Sequence, residues 1–231
     1  MSIVTNGVDY WFPTAIYNKL LQPPPNSRQL MLDYVDKFHS EHPNTYSITG
    51  DVVNDSQLAH KAEFSWLNSE VGKHCNLYLE AYGVDTDKVL VYSSKAWPVV
   101  CDPKLRLMDQ RGTIAPHTHP NSHLSVIFYL QTDDECGGDL ILSASPTHPL
   151  RYLPINPERQ TLASMDCLNV PAVQNNLVIF PSSVEHEVIL YYGDINRYSI
   201  TYDIIVTAKE DLEGDNEMCT THPKNWIELN G

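Results

Sequence analysis

Basic residues are scarce in this chain. Fifteen Lys and Arg stand against 29 Asp and Glu, a formal charge of -14, and no three basic residues are consecutive. Such a chain repels phosphates, so sequence-blind binding to a nucleic-acid backbone is not expected. Long apolar runs are also missing. No stretch approaches the roughly 18–20 residues of a membrane span. The opening Met1-Ser2-Ile3-Val4-Thr5-Asn6-Gly7 has neither the basic region nor the apolar core of a secretory signal. Cysteine is sparse. Cys75, Cys101, Cys136, Cys167 and Cys219 are odd in number and never at zinc-motif spacing, a pattern that reads as reduced thiols in a cytoplasm. Aromatic residues are not scarce: 13 Tyr, 4 Trp and 5 Phe give enough apolar surface to bury one core, which argues against disorder.

The 231 residues suit a single domain. Residues 1–95 read as an N-terminal strand with helical support, 96–206 as a β core, and 207–231 as a C-terminal extension with a solvated acidic run at 210–215. Tyr10 to Tyr17 predicts a short strand, at an edge or bulge because of Pro13. Pro23-Pro24-Pro25 is a stiff connector. Asn26-Ser27 offers a helix cap, and Leu30, Met31, Tyr34, Val35 and Phe38 form one apolar face ending near His42-Pro43. Ser56 caps a second predicted helix carrying Leu58, Phe64, Leu67, Val71, Cys75 and Tyr78, which Gly83 ends. Strands are then expected at 89–92, 104–108, 124–130, 139–143, 177–180, 185–192 and 197–206. Seven short strands in about 120 residues mean a sandwich or barrel, and helices on one face make the fold class α+β.

Among ten histidines, His39, His42, His60, His74, His148 and His222 sit in helical or loop segments without an evident partner. His117 and His119 differ, because residues two apart in an extended segment face the same way and could converge on one ion. His186, at the start of a later strand, supplies a third ligand from across a barrel mouth. Eleven residues further on, Arg197 and Ser199 alternate along the last strand. An Arg with a nearby hydroxyl holds a carboxylate by forked, charge-assisted contacts. Tyr129 shares the parity of His117, His119 and Ser125, and so does His123.

The run from Pro116 to Leu130 (Pro-His-Thr-His-Pro-Asn-Ser-His-Leu-Ser-Val-Ile-Phe-Tyr-Leu) resembles the Fe(II)- and 2-oxoglutarate-dependent oxygenases. The nearest branch looks like one found in marine bacteria, cyanobacteria and their phages. Gly137-Gly138-Asp139-Leu140 is similar to the Gly-Gly-Glu-Leu turn of prolyl-hydroxylase-type members. The likeness continues through Leu177 to Ser182 with His186, through Arg197 to Ile200, and at the opening Trp11 to Tyr17.

This resemblance implies a double-stranded β-helix, a jelly roll with a cupin-like core and N-terminal helices on one face. It implies Fe(II), 2-oxoglutarate and O2 as cofactor and cosubstrates. His117, His119 and His186 would hold iron, with His119 where most members have Asp or Glu. Arg197, Ser199 and Tyr129 would hold the distal carboxylate of 2-oxoglutarate. The reaction implied is hydroxylation of an unactivated C–H bond in an amino acid, peptide or small metabolite, with release of succinate and CO2. His123 and Arg159 are candidate substrate contacts, Arg159 within a Pro- and Thr-rich loop at 146–170 that could form a lid. A homodimer is compatible with the sequence. Because the usual site is two His and a carboxylate, a neutral third His removes one negative charge. Asp109, Glu185 and Glu187 are nearby carboxylates without the expected spacing. On sequence alone, His119→Asp is expected to restore the charge and tighten iron binding. A metal cupin acting without 2-oxoglutarate and a non-catalytic jelly-roll binding protein are the alternatives.

Overall fold

The computed structural model describes residues 14–41, 57–103, 113–144, 154, 156, 158, 165–210 and 220–229. Strand β1 (Tyr17–Leu20) follows the expected opening run, whose residues 10–13 lie outside the described ones, as does the strand expected at 104–108. Helix α1 (Pro25–Glu41) starts on the last proline of the triplet. Proline suits that place, because its missing N–H falls where a helix has no partner for one. Met31, Leu32 and Val35 are its buried face. The second expected helix begins instead as two 3-10 turns, Leu58–His60 and Ala62–Phe64, before α2 (Ser65–Ala81). Gly83, at φ +90°, ends α2 as expected. Val84 N–H then reaches back to the Leu79 carbonyl at 2.9 Å, a turn that satisfies an otherwise orphaned acceptor.

The remaining strands are β2 (Val89–Cys101), β3 (Ile114–His117), β4 (Leu124–Gln131), β5 (Leu140–Ser143), β6 (Cys167–Val170), β7 (Asn176–Pro181), β8 (His186–Val188) and β9 (Arg197–Ala208). They form two antiparallel sheets, β1-β7-β4-β9-β2 and β3-β8-β5-β6, the two layers of a jelly roll. The fold is α+β, with the helices on one side of the larger sheet.

Five strands depart from expectation: β1 shares only Tyr17 with the run expected at 10–17, and β3 is not among the expected strands. β2 runs far past Tyr92 and through Pro98, which an edge strand tolerates because one row of its N–H groups has no ladder to join. β6 lies inside the segment read as a loop at 146–170. It pairs with β5 (Leu140↔Val170), yet Val170 is its one buried residue, so it shows no alternation to detect. β8 covers three residues of the eight expected.

Two cores flank the larger sheet. Phe128, Ile200, Tyr202 and Ile204 pack toward Met31, Val35, Phe64 and Leu67 of the helical layer. Ile127, Tyr129, Val178 and Phe180 pack toward Leu140 and Leu142 of the smaller sheet. Being covered on both faces makes β4 a continuous apolar run rather than an alternating one. Polar latches fix the helices to the sheet: the Tyr198 hydroxyl donates to Asp36, and the Tyr202 hydroxyl donates to Asn68 Oδ1 at 3.0 Å.

Three histidines that the sequence leaves without partners have them. His39 meets Asp102 at 3.2 Å, and His222 meets the Tyr92 hydroxyl at 3.0 Å. Buried His74 lies between the Tyr17 hydroxyl and Glu70. Each partner is distant in sequence or one helical turn away, so pairing follows from folding. His42 and His148 lie outside the described residues. The four described cysteines (75, 101, 136 and 167) are free. No described helix is long and apolar enough to cross a membrane.

Candidate metal centre

His117 ends β3 and His186 opens β8, and the two residues are register partners across the smaller sheet. His119 lies two residues beyond β3. Its backbone N–H is tied to the Ser182 carbonyl at the end of β7, at 2.9 Å. The ring centroids are 4.2 Å apart for His117 and His186, 5.0 Å for His119 and His186, and 5.1 Å for His117 and His119. One ligand atom from each ring lies within 4.8 Å of the others. Two imidazole nitrogens on one ion at roughly 2.0–2.1 Å stand at most about 4.2 Å apart, so small ring movements would bring the three into ligating range.

The hydrogen bonds say which nitrogens face inward. Nδ1 of His117 meets the Ala115 carbonyl at 2.8 Å, and Nδ1 of His186 meets the Val184 carbonyl at 3.0 Å. Nδ1 of His119 meets Asp203 Oδ1 at 2.5 Å. An acceptor at each Nδ1 fixes the proton there and leaves Nε2 with its lone pair. Nε2 of His119 is buried and makes no hydrogen bond, which is unusual for a buried polar atom and fits a missing ligand. Burial holds His117 below its ordinary pKa and pushes His186 down to about 4. Both are therefore neutral at pH 7, the form a metal binds.

The histidines line a narrow cleft with Trp97, Val99, Ile127, Arg197, Ser199 and Thr201. The cleft holds about 30 Å³ of free space, room for about one water. Arg197 is 1% exposed. Its Cζ lies 5.1 Å from the centre of the Tyr129 ring, and Nη1 donates to Cys101 Sγ at 3.4 Å. Its Nε and the Tyr129 hydroxyl make no hydrogen bond. A buried guanidinium facing an aromatic ring and a thiol, with no carboxylate paired to it among the described residues, is costly unless an anion joins it.

Gly138 explains the paired glycines. Its φ is +73°, and a Cβ there would lie 2.8 Å from Arg197 Cδ and 2.9 Å from Nε. The backbone passes where only glycine leaves room for the guanidinium. Asp139 is structural: its carboxylate accepts from Ala172 N–H at 3.0 Å and Asn169 Nδ2 at 3.1 Å.

The structure thus brings His117, His119, His186, Arg197 and Ser199 to one cleft, with Tyr129 beneath Arg197. His123 lies elsewhere: it is exposed, and its Nδ1 accepts from Val206 N–H at 3.1 Å. Glu185 is exposed and Glu187 half-buried, and neither lines the cleft. Arg159 and Asp109 lie outside the described residues. The sequence reading missed Asp203, Thr201, Trp97 and Cys101. Thr201 and Asp203 continue the alternation of Arg197 and Ser199, a signal that was available. Trp97 and Cys101 stand opposite Thr201 and Arg197 on β2, and that register cannot be read from one chain.

The jelly roll thus carries three convergent imidazoles and a buried arginine in one cleft. A family model described as "Putative 2OG-Fe(II) oxygenase" matches residues 96–203, from the middle of β2 to the functional end of β9. Over those residues the chain is similar to the 2OG-Fe(II) oxygenases, enzymes that use Fe(II), 2-oxoglutarate and O2. No match was found among curated proteins. Solved structures share the fold. A prolyl-4-hydroxylase from Pseudomonas putida superposes with a TM-score of 0.50 at 15% identity, over 82% of this chain and 86% of that one. AviO1 from Streptomyces viridochromogenes Tue57 gives 0.54 at 12% identity, over 87% and 92%. The non-haem α-ketoglutarate-dependent epimerase SnoN from nogalamycin biosynthesis gives 0.54 at 11%, over 85% and 79%.

Proposed function

We propose that this chain is a 2-oxoglutarate-dependent dioxygenase that hydroxylates an unactivated C–H bond of an amino acid, peptide or small metabolite. On this reading His117, His119 and His186 hold iron through their Nε2 atoms. Arg197, with Ser199 and Tyr129 beside it, takes the distal carboxylate of 2-oxoglutarate. Iron held there supplies oxygen activation coupled to oxidative decarboxylation of the cosubstrate. The residues do the rest. Each Nδ1 acceptor fixes one imidazole in its ligating tautomer. Arg197 fixes the orientation of the cosubstrate by a forked, charge-assisted contact. Trp97, stacked 5.8 Å from His119, and Ile127 and Val99 keep the cleft dry.

One observation carries this reading: a fully buried Arg197, with no carboxylate beside it among the described residues and its Nε without a hydrogen bond, and a buried His119 Nε2 without a hydrogen bond line the same cleft. The first needs an anion and the second a metal. The test is an anaerobic titration of the apo-protein with Fe(II) and then 2-oxoglutarate, followed by the visible metal-to-ligand charge-transfer band. A band that saturates at one equivalent is the expected result. Iron binding without a band would favour a metal cupin acting without 2-oxoglutarate. No iron binding would favour a non-catalytic jelly-roll binding protein.

A further inference from the structure

Asp203 sits on β9, six residues past Arg197 and on the same face of the strand. Its carboxylate is buried, at 8% exposure. Among the described residues its ion pair is with His119 Nδ1. A carboxylate taken out of water costs several kcal/mol unless a partner compensates, and a single N–H compensates only in part. The far nitrogen of the same ring is the unpaired Nε2 that faces His117 and His186. The geometry is therefore a carboxylate, an imidazole and an empty inward lone pair in line.

We infer that Asp203 is a positioning residue that acts through His119. It fixes the tautomer and plane of that ring, and it supplies from one shell out the negative charge that a directly ligating carboxylate would bring. The inference rests on the metal-centre reading above. It explains how a three-histidine set avoids the charge deficit expected from its sequence. It also reverses the expectation for His119→Asp. A shorter carboxylate at 119 would lie against Asp203, and two like charges in a buried site repel. The substitution should weaken metal binding rather than tighten it.

The experiment is an anaerobic titration of the full-length protein with Co(II), which is stable and absorbs in the visible. Four proteins are compared: wild type, D203N, H119D and H119D/D203N. Asn at 203 retains the size and one acceptor oxygen but loses the charge. D203N should weaken Co(II) binding roughly 10- to 100-fold in the wild-type background. In the H119D background the same change should strengthen it, because it removes a repulsion. That change of sign is something a merely structural role would not produce. An equal loss in both backgrounds, or D203N binding within about twofold of wild type, would overturn the inference while leaving the metal centre standing. If D203N alone fails to fold, D203S, which removes the same charge and keeps His119, takes its place in the comparison. If wild type takes up no Co(II), the metal-centre reading fails and this inference falls with it.

Discussion

Strand β9 presents two faces that are buried to the same degree and built on opposite rules. Toward the helices it carries Tyr198, Ile200, Tyr202 and Ile204, an apolar face whose hydroxyls donate to Asp36 and Asn68. Toward the cleft it carries Arg197, Ser199, Thr201 and Asp203, all at most 8% exposed. Around that second face lie five of the nine buried side-chain polar atoms that make no hydrogen bond among the described residues, Arg197 Nε, Tyr129 Oη, Ser125 Oγ, Trp97 Nε1 and His119 Nε2; the other four, Arg28 Nε, Gln57 Oε1, Thr132 Oγ1 and Asn175 Oδ1, are scattered. Burial alone therefore does not distinguish core from site. Polar satisfaction does, because a fold leaves buried donors and acceptors unpaired mainly where a ligand completes them.

Substitutions can break that contrast, and the largest effect belongs to His186→Ala. It removes the ligand that β8 contributes, so metal uptake should be lost in the Fe(II) titration while the helical face keeps the fold cooperative. Persistent stoichiometric iron would show that the three imidazoles are not the site. Arg197→Met comes next. The concentration of 2-oxoglutarate needed for half-saturation of the charge-transfer band should rise by two or more orders of magnitude, with iron still bound. An unchanged requirement would detach Arg197 from the cosubstrate.

On the opposite face, Ile200→Ala should leave both ligands bound and cost about 2–5 kcal/mol of stability, as for other fully buried large-to-small changes. Urea denaturation reads it. Gly138→Ala sits between the two kinds of effect. The backbone must hold a left-handed φ with a side chain, at roughly 1–2 kcal/mol, and the new methyl meets the middle of the Arg197 chain, which is packed and cannot yield. A lowered midpoint together with weaker 2-oxoglutarate binding is expected. A lowered midpoint alone would mean that the glycine serves the turn and not the arginine.

Much of this contrast was legible before any coordinates. The His117-Thr118-His119 pair, His186 and the Arg197/Ser199 alternation carry their geometry in their spacing, since a strand repeats every two residues. The same period could have extended to Thr201 and Asp203, but an Asp amid Ile, Tyr and Val reads locally as an outward-facing residue. Trp97 and Cys101 depend on how β2 registers against β9, with a shift between Ser93 and Lys95, and no local pattern encodes that. β6 was hidden because a strand exposed over three of four residues lacks periodicity. His123 shows where parity stops being a guide. Parity pointed it inward, but parity holds only along a continuous strand, and the chain turns at Pro120 and Asn121 before β4 begins.

The smallest effects sharpen the contrast most, because they leave both shape and ligands in place. Tyr202→Phe deletes one hydroxyl on the helix face and orphans Asn68 Oδ1, which should cost about 0.5–1.5 kcal/mol. Arg197→Met deletes a charge on the cleft face that has no carboxylate partner among the described residues. In the apo-protein it should cost nothing or stabilise by about 1 kcal/mol, since replacing a buried, uncompensated charge by an apolar chain of similar length removes a desolvation penalty. Two neighbouring faces of one strand, each losing a polar group at 1% exposure, should therefore move the urea midpoint in opposite directions. If both fall equally, Arg197 is satisfied without a ligand, and the unpaired atoms of the cleft do not mark a binding site.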